Sequence, residues 1–255
     1  MKKSINTFVK DKLQVKIYDD KSQMGSAAAD FVAENLQKAI KKNGSANLIL
    51  ATGASQFSFL ESFIQKDLDW EKISVFHLDE YVGISDEHPA SFRNFLKERI
   101  INTVKPGQTY FINGDANNLE EEIKKYETLL QKHPIDVACI GIGENGHIAF
   151  NDPPVADFND PRLVKVVKLD ELCRKQQVGE GWFSSLEEVP KEAITLTIPA
   201  IMNCKSISCV VPEKRKAQAV YNTLNSKIST SCPATILRNH SNTVLFLDKD
   251  SSSSL

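Results

Sequence analysis

The sequence has no excess of charge of either sign. The chain of 255 residues carries 31 Lys and Arg against 33 Asp and Glu, a formal net charge of −2. Its basic residues do not gather into one face, which argues against a nucleic-acid partner. The length suffices for one large α/β domain or two small ones, with a core that needs no disulfide or metal to stabilise it.

The sequence also lacks cysteine pairs and long apolar segments. Its five cysteines are odd in number and show no C-x-x-C spacing. Cys139 and Cys209 lie in apolar runs, where a thiol behaves as a small hydrophobic group. The chain has no signal peptide and no apolar stretch of membrane length, so we predict a cytoplasmic protein with no membrane partner. The polar residues 248–255 are expected to be frayed.

Strand patterns alternate with helix patterns along the whole chain. Apolar runs predict strands at Leu13–Tyr18, Ala46–Ala51, Ile73–Leu78, Thr109–Ile112, Ile135–Ile140, Val164–Leu169, Ser206–Val211 and Thr243–Leu247. Helical spacing predicts helices at Met24–Lys42, Phe57–Ile64, Ala90–Ile101, Leu119–Leu130, Ile198–Met202 and Lys214–Leu224. This alternation predicts an α/β fold, Rossmann-like, with a doubly wound, mostly parallel sheet and helices on both faces.

Three further segments complete the prediction of the fold. Ala234–Leu237 is expected to be a short extended piece. The glycine-bearing stretch between Cys173 and Ser185, with its charged and aromatic side chains, is typical of a loop that acts as a lid. Because no linker, repeat or low-complexity segment interrupts the pattern, we predict a single domain over residues 1–255.

A small-residue turn follows the strand Ala46–Ala51. The turn is Thr52-Gly53-Ala54-Ser55, and a helix pattern begins directly after it. Strand, small-residue turn and helix is an arrangement that directs backbone N–H groups at an anion. The turn lacks the lysine of a P-loop, so a sugar phosphate or a carboxylate fits better than a triphosphate. An ordinary strand-to-helix connection explains the pattern equally well.

Two acids, Asp79 and Glu80, follow the strand Ile73–Leu78. Consecutive side chains diverge, so the pair is not expected to chelate one ion. One acid can face a pocket while its neighbour faces the protein interior.

Three glycines follow the apolar run Ile135–Ile140. They are Gly141, Gly143 and Gly146, and His147 comes next, with Asp152 five residues later. Ligands of open α/β sheets bind just beyond the carboxyl ends of strands, where this histidine is expected to lie. The stretch alone fits a catalytic histidine and a turn histidine equally, and the glycines do not complete a dinucleotide fingerprint because no helix pattern follows.

These strand ends together offer a phosphate anchor, an acid and a histidine. Lys216, near the start of its helix, adds a cation that can close on a phosphate. A base, a proton-exchanging histidine and an anion site suit proton transfer on a sugar phosphate. No cluster has metal-ligand spacing and no G-x-S-x-G elbow is present, so we predict neither a metal nor an organic cofactor.

The same motifs resemble a known enzyme family. Residues 76–83 (FHLDEYVG) with 88–92 (HPASF), and residues 141–153 (GIGENGHIAFNDP), resemble two signatures of glucosamine-6-phosphate deaminases (isomerases). Residues 51–55 are similar to the family's phosphate loop, and Lys216-Ala217 to its phosphate-binding lysine. The resemblance covers about the whole chain, with the motifs in the same order.

The resemblance implies a role for each matching residue. Asp79 corresponds to the base that moves a proton from C2 to C1 of the open-chain sugar, and His147 to the residue that opens the ring. Asn145 and Asp152 would orient the histidine. Substrate binding is implied for the following residues: Thr52, Gly53, Ala54, Ser55, Gly146, Arg174 and Lys216.

Two positions depart from the family pattern. Asp152 stands where the family usually has Glu; because Asp is one methylene shorter, its contact with His147 is expected to need a backbone shift or a water. The arginine that the family uses for the phosphate does not align cleanly here, and Arg174 is the best candidate.

Several functions remain open at this point. A 6-phosphogluconolactonase shares the expected fold, but such enzymes typically have Asp-Glu-Arg where this chain has residues 79–81 (DEY). A non-catalytic sugar-phosphate sensor would not need both Asp79 and His147. Nothing in the sequence separates glucosamine 6-phosphate from its galactosamine epimer. The sequence also leaves open a homo-oligomer.

Overall fold

The computed structural model describes residues 4–179 and 181–255. Its strands are β1 Asn6–Lys10, β2 Leu13–Tyr18, β3 Ala46–Leu50, β4 Ile73–His77, β5 Asp79–Tyr81, β6 Gln108–Thr109, β7 Val137–Ile140, β8 Val164–Lys168, β9 Glu192–Leu196, β10 Ser206–Val211 and β11 Thr243–Asp248. Its helices are α1 Lys21–Asn43, α2 Phe57–Phe63, α3 Phe92–Leu96, α4 Asn102–Val104, α5 Leu119–Lys132, α6 Glu171–Gly179, α7 Ile198–Met202 and α8 Ala217–Asn225.

Eight strands form the main sheet, in the order β1-β2-β11-β10-β7-β3-β4-β6. The β1–β2 pair is antiparallel and the other pairs are parallel. The mostly parallel sheet predicted from the alternation of strands and helices is confirmed. Among the described residues, no helix is both long enough and apolar enough to span a bilayer.

The central strand β7 shows why both faces of the main sheet are covered. All four of its residues are buried, and successive side chains of a strand point to opposite faces. Val137 and Cys139 belong to one apolar cluster, whereas Ala138 and Ile140 belong to another. Each face of the sheet therefore has its own core, as a parallel sheet requires. The prediction that Cys139 and Cys209 are buried hydrophobic groups is confirmed, because both thiols are free and fully buried.

A second, three-stranded antiparallel sheet has the order β5-β9-β8. Only Leu78 separates β4 of the main sheet from β5 of the small one, and its carbonyl accepts a hydrogen bond from the Leu196 N–H at 2.8 Å. The chain therefore passes from one sheet to the other next to Asp79. The sequence pattern predicts Asp79 and Glu80 at the end of one strand and does not predict β9.

The structure corrects three local predictions. Residues 234–237 are not extended but lie in the 3₁₀ helix Pro233–Asn239. The stretch predicted as a lid loop begins with α6, which continues to Gly179; Glu180 lies outside the described residues. The C-terminal residues are not frayed, because Ser251 is fully buried and its N–H donates to Asp248 Oδ1 at 2.8 Å.

Candidate active site

A cavity opens at the carboxyl ends of β3, β4, β7 and β10, the edge where parallel α/β sheets bind ligands. It encloses about 850 Å³, with open solvent at its mouth included. The lining combines polar groups with an apolar wall; its members include Thr52, Gly53, Ala54, Ser55, Asp79, Phe92, Phe95, His147, Phe150, Gln177, Trp182, Arg215 and Lys216.

The first wall follows β3 and contains the turn 52–55. Gly53 has a φ of 94° and a ψ of 167°, a backbone conformation that residues with a side chain rarely adopt. The side chain of Gln56 is buried and its amide donates to Ser55 Oγ at 3.1 Å, which holds this hydroxyl in place. The turn therefore presents backbone and hydroxyl groups to the cavity in a fixed arrangement.

Two cations from the segment after β10 complete this wall. Lys216 is 4% exposed. Arg215 lies between two acids: its Nε donates to Glu213 Oε2 at 2.8 Å and its Nη1 to Glu144 Oε1 at 3.2 Å. We call the turn 52–55 together with Arg215 and Lys216 the anion cradle. Its positive charge and backbone groups can bind a phosphate.

His147 is oriented by two residues behind it. Its Nδ1 lies 2.8 Å from Asp152 Oδ1, and the Asp152 side chain is fully buried. Asn145 donates from Nδ2 to the same Oδ1 at 2.8 Å, and its Oδ1 accepts the His147 N–H at 3.0 Å. Of the two expected ways for the shorter Asp152 to reach His147, a water is not needed, because the carboxylate approaches the ring directly. With Nδ1 facing a carboxylate, Nε2 remains to exchange a proton in the cavity.

The imidazole of His147 lies directly against the backbone of Gly143. A Cβ at position 143 would come within 2.2 Å of the imidazole Cε1. Any side chain there would displace the ring. Position 143 therefore needs a glycine because the His147 ring occupies the space of a side chain, and not because a turn needs an unusual backbone conformation.

The acid of the cavity is Asp79, at the start of β5. It is 7% exposed, and its backbone pairs with Thr195 of β9. Burial, followed by the nearby negative charge of Glu80, raises the pKa of Asp79 to about 8. Within residues 4–179 and 181–255, no Lys, Arg or His side chain lies at ion-pair distance from Asp79. A carboxyl group of this kind is suited to accept a proton near neutral pH.

Glu80 points away from the cavity, as the divergence of consecutive side chains predicts. It is fully buried and forms an ion pair with Arg93, with Oε2 3.2 Å from Nε. Among the described residues, no group of three or more His, Cys, Asp or Glu is arranged to hold a metal ion.

A sequence model of the family described as "Glucosamine-6-phosphate isomerases/6-phosphogluconolactonase" matches residues 19–246. The chain belongs to this family. The glucosamine-6-phosphate deaminase of Bacillus cereus is 36% identical to it over 215 residues, which cover 84% of this chain and 80% of that protein. The deaminase of Streptococcus uberis is 36% identical over 224 residues, or 88% of this chain and 94% of that one. The resemblance inferred from the motifs is confirmed.

Solved structures of the glucosamine-6-phosphate isomerase/6-phosphogluconolactonase family share the fold. A monomeric glucosamine-6-phosphate deaminase superposes with a TM-score of 0.87 at 30% identity, covering 94% of this chain and 99% of that one. A 6-phosphogluconolactonase from Shewanella baltica has a TM-score of 0.77 at 19% identity and covers 96% and 100% of the two chains. The second likeness concerns the fold alone.

The structure does not bring every predicted residue of this family member to the cavity. The Arg174 guanidinium lies elsewhere; Nη2 donates to the carbonyls of Leu186 and of Val189, the latter at 3.0 Å. Gly146 packs instead beneath Cys232, whose Sγ would lie 2.6 Å from a Cβ at this position. Asn145 and Asp152 stand behind His147 rather than on the cavity surface.

Several residues that line the cavity are not predicted from the sequence. Arg215 lines the cavity as part of the anion cradle, whereas Arg174 was the arginine expected to bind the phosphate. The position of Arg215 beside Lys216 in the sequence was the available signal. Gln177 and Trp182 come from the segment interpreted as a lid, and both reach the cavity. Phe95 and Phe150 supply apolar surface, which only the folded chain brings together.

Proposed function

We propose that this chain converts glucosamine 6-phosphate and water into fructose 6-phosphate and ammonia, using side chains alone. The observation that carries the proposal is the charge pattern of the cavity. Asp79, a buried carboxyl group with no basic side chain at ion-pair distance in the described part of the chain, shares one cavity with the cations Arg215 and Lys216. An amino-sugar phosphate has the complementary pattern, an ammonium at C2 and a phosphate at C6.

Ring opening is assigned to His147. Its Nε2 takes the proton of the C1 hydroxyl and returns a proton to the ring oxygen, so the bond between C1 and the ring oxygen breaks and an aldehyde forms. Asp152, 2.8 Å from Nδ1, stabilises the imidazolium formed between the two transfers. Asn145 keeps the carboxylate of Asp152 in position.

Isomerisation and deamination are assigned to Asp79. The Asp79 carboxylate removes the proton from C2 of the open-chain sugar while O1 of the aldehyde gains a proton that the C2 ammonium loses, which gives an enolamine. Asp79 then returns its proton to C1, which leaves a protonated imine at C2. Water adds to this imine and ammonia departs, leaving the ketone. The ammonium of the incoming substrate favours the charged form of Asp79, so binding prepares the base for proton removal.

The charge pattern also separates this proposal from the alternatives. A gluconolactone phosphate carries no cation to offset a charged Asp79, so the lactonase reaction makes no use of that group. A sensor without catalysis would not need the orientation of His147 by Asp152. The galactosamine epimer carries the same two charges, and it is therefore included among the substrates to be tested.

The test is an ammonia-release assay on a panel of phosphates. The panel contains glucosamine 6-phosphate, galactosamine 6-phosphate, unphosphorylated glucosamine and 6-phosphogluconolactone, with lactone hydrolysis followed separately. We expect ammonia from glucosamine 6-phosphate and a kcat/KM for glucosamine at least about 100-fold lower, since two cations contact the phosphate. Fast lactone hydrolysis without ammonia release would contradict the proposal.

A further inference from the structure

Glu80 is a fully buried acid near the cavity, and both of its carboxylate oxygens accept hydrogen bonds. Its Oε1 accepts the N–H groups of Tyr81 at 3.0 Å and Phe92 at 3.1 Å. Its Oε2 accepts Ser91 Oγ at 2.8 Å, the Arg93 N–H at 3.0 Å and Arg93 Nε at 3.2 Å. Five donors and no acceptor are the partners of an ionised carboxylate.

These bonds join two walls of the cavity. Glu80 follows Asp79 on β5, whereas Ser91 and Phe92 line the cavity where α3 begins. A single carboxylate therefore fixes the distance between the strand that carries the acid and the wall that faces the ligand. Its position is limited further by Gly114, where a Cβ would lie 2.9 Å from Glu80 Cγ.

Arg93 anchors this connection to a third segment. The guanidinium donates to Asn113 Oδ1 at 2.7 Å, to the Ile84 carbonyl at 2.7 Å and to Asp115 Oδ1 at 3.1 Å. The Glu80–Arg93 pair is thus held from both sides. Such buried networks permit little movement, because every group that moved would lose its partner.

We propose that Glu80 is a positioning residue of the reaction, which fixes Asp79 against the ligand-facing wall and places a fixed negative charge next to it in the sequence. Glu80 acts through Asp79 and does not touch the substrate. The inference rests on the proposed deamination, in which Asp79 is the base.

The electrostatic part follows from the short connection between the two acids. Glu80 raises the pKa of Asp79 in addition to the effect of burial. His77 of β4 adds no positive charge, because burial and the field of Arg93 lower its pKa to about 3. β9 contributes the uncharged Ile194 and Thr195 opposite the two acids. Among the described residues, other titratable or charged groups around the pair and the cavity include Asp86, His88, Lys97, Asp115, Glu122, Tyr126, Glu144, His147, Asp152, Arg215 and Lys216.

The experiment compares the pH dependence of kcat/KM for two opposite changes. Glu80→Gln removes the negative charge and leaves Arg93 in place, so the pKa of Asp79 should fall. The acidic limb of the profile should therefore move to lower pH by about 1 unit. Arg93→Gln removes the positive charge while four of the five donors to Glu80 remain, so the limb should move up. The substrate's own titration is the same in all variants and does not affect the comparison.

Asp136→Asn is the matched control. Asp136 is also a buried acid, 5% exposed, with Lys205 Nζ 2.7 Å from Oδ1 and the Asn47 N–H donating to Oδ2 at 2.8 Å. It precedes β7 and so lies at the opposite edge of the sheet from the cavity. Its loss should lower Tm without moving the acidic limb.

Each outcome decides the matter. Shifts of the limb in opposite directions support the proposal, whereas reduced rates with an unmoved limb in both variants would leave Glu80 a structural residue only and overturn it. If a single variant does not fold, Glu80→Gln combined with Arg93→Met removes both charges of the pair and should still move the limb downward. An inactive wild-type enzyme would instead reject the deaminase reaction itself.

Discussion

The two sides of the cavity are built in different ways. The anion cradle consists of two short runs of adjacent residues, 52–55 and 215–216, which lie shortly after β3 and β10 of the main sheet. Strand β5, which carries Asp79, belongs to the small sheet and depends on distant partners, namely β9 and the residues that bind Glu80. Short runs of adjacent residues can thus supply phosphate-binding groups. A buried base such as Asp79 instead requires contacts with distant residues, which hold its carboxylate away from water.

The largest effect that tests this difference is expected from Asp79→Asn. The change keeps the size of the side chain but removes the base, so kcat should fall by about 10²–10⁴-fold. Substrate binding should survive, because the anion cradle is separate. Incubation with substrate in heavy water should show no deuterium incorporation at C2. Exchange at the wild-type rate would place the base elsewhere in the cavity.

An intermediate effect is expected from Lys216→Ala and Arg215→Ala. Each change removes a contact to the phosphate that is present in both the ground state and the transition state, so KM should rise by about 10–100-fold with kcat little changed. Lys214→Ala is the control, because Lys214 is exposed and does not line the cavity. A fall in kcat at constant KM would move the altered residue into the chemistry.

The smallest effect concerns stability and again separates the two sides. The pKa of Asp79 is raised in the folded protein, to about 8 from 3.8. Its stabilising contribution is therefore complete below pH 3.8 and is lost as the pH rises toward 8, because the unfolded chain releases the proton first. Asp79→Asn should raise Tm relative to wild type, by little at pH 4 and by at least about 2 °C at pH 8.

Thermal unfolding of both proteins at several pH values measures this difference. Lys216→Ala serves as the reference from the other side of the cavity. The difference in Tm between this variant and wild type should not grow over the same pH range. A Tm difference between Asp79→Asn and wild type that stays constant with pH would mean that Asp79 titrates normally.

Much of the main sheet could be predicted from the sequence, because buried parallel strands are continuous apolar runs. β7 is such a run, and its four buried residues supply both cores. The cradle turn at 52–55 was also visible, since its residues are adjacent and two of them are Gly53 and Ser55. In both cases the signal is local to the segment.

The parts that were missed depend on distant contacts. β5 is only three residues long and exists because β9 pairs with it. The direct approach of Asp152 to His147 depends on the path of the backbone between them, which residue types do not reveal. The sequence does not distinguish Arg174 from Arg215 as the arginine that reaches the cavity. Only the folded chain shows that Arg215 does.

The pairing of Asp79 with Thr195 has a consequence for the order in which the protein refolds. The anion cradle spans an even larger separation, because it joins the turn 52–55 to Arg215 and Lys216 near the other end of the chain. Closing a longer loop costs more entropy, and contacts of large sequence separation form more slowly. Both sides of the cavity therefore form late; because turnover needs both sides and phosphate binding needs only the cradle, we expect a refolding chain to regain phosphate binding no later than turnover.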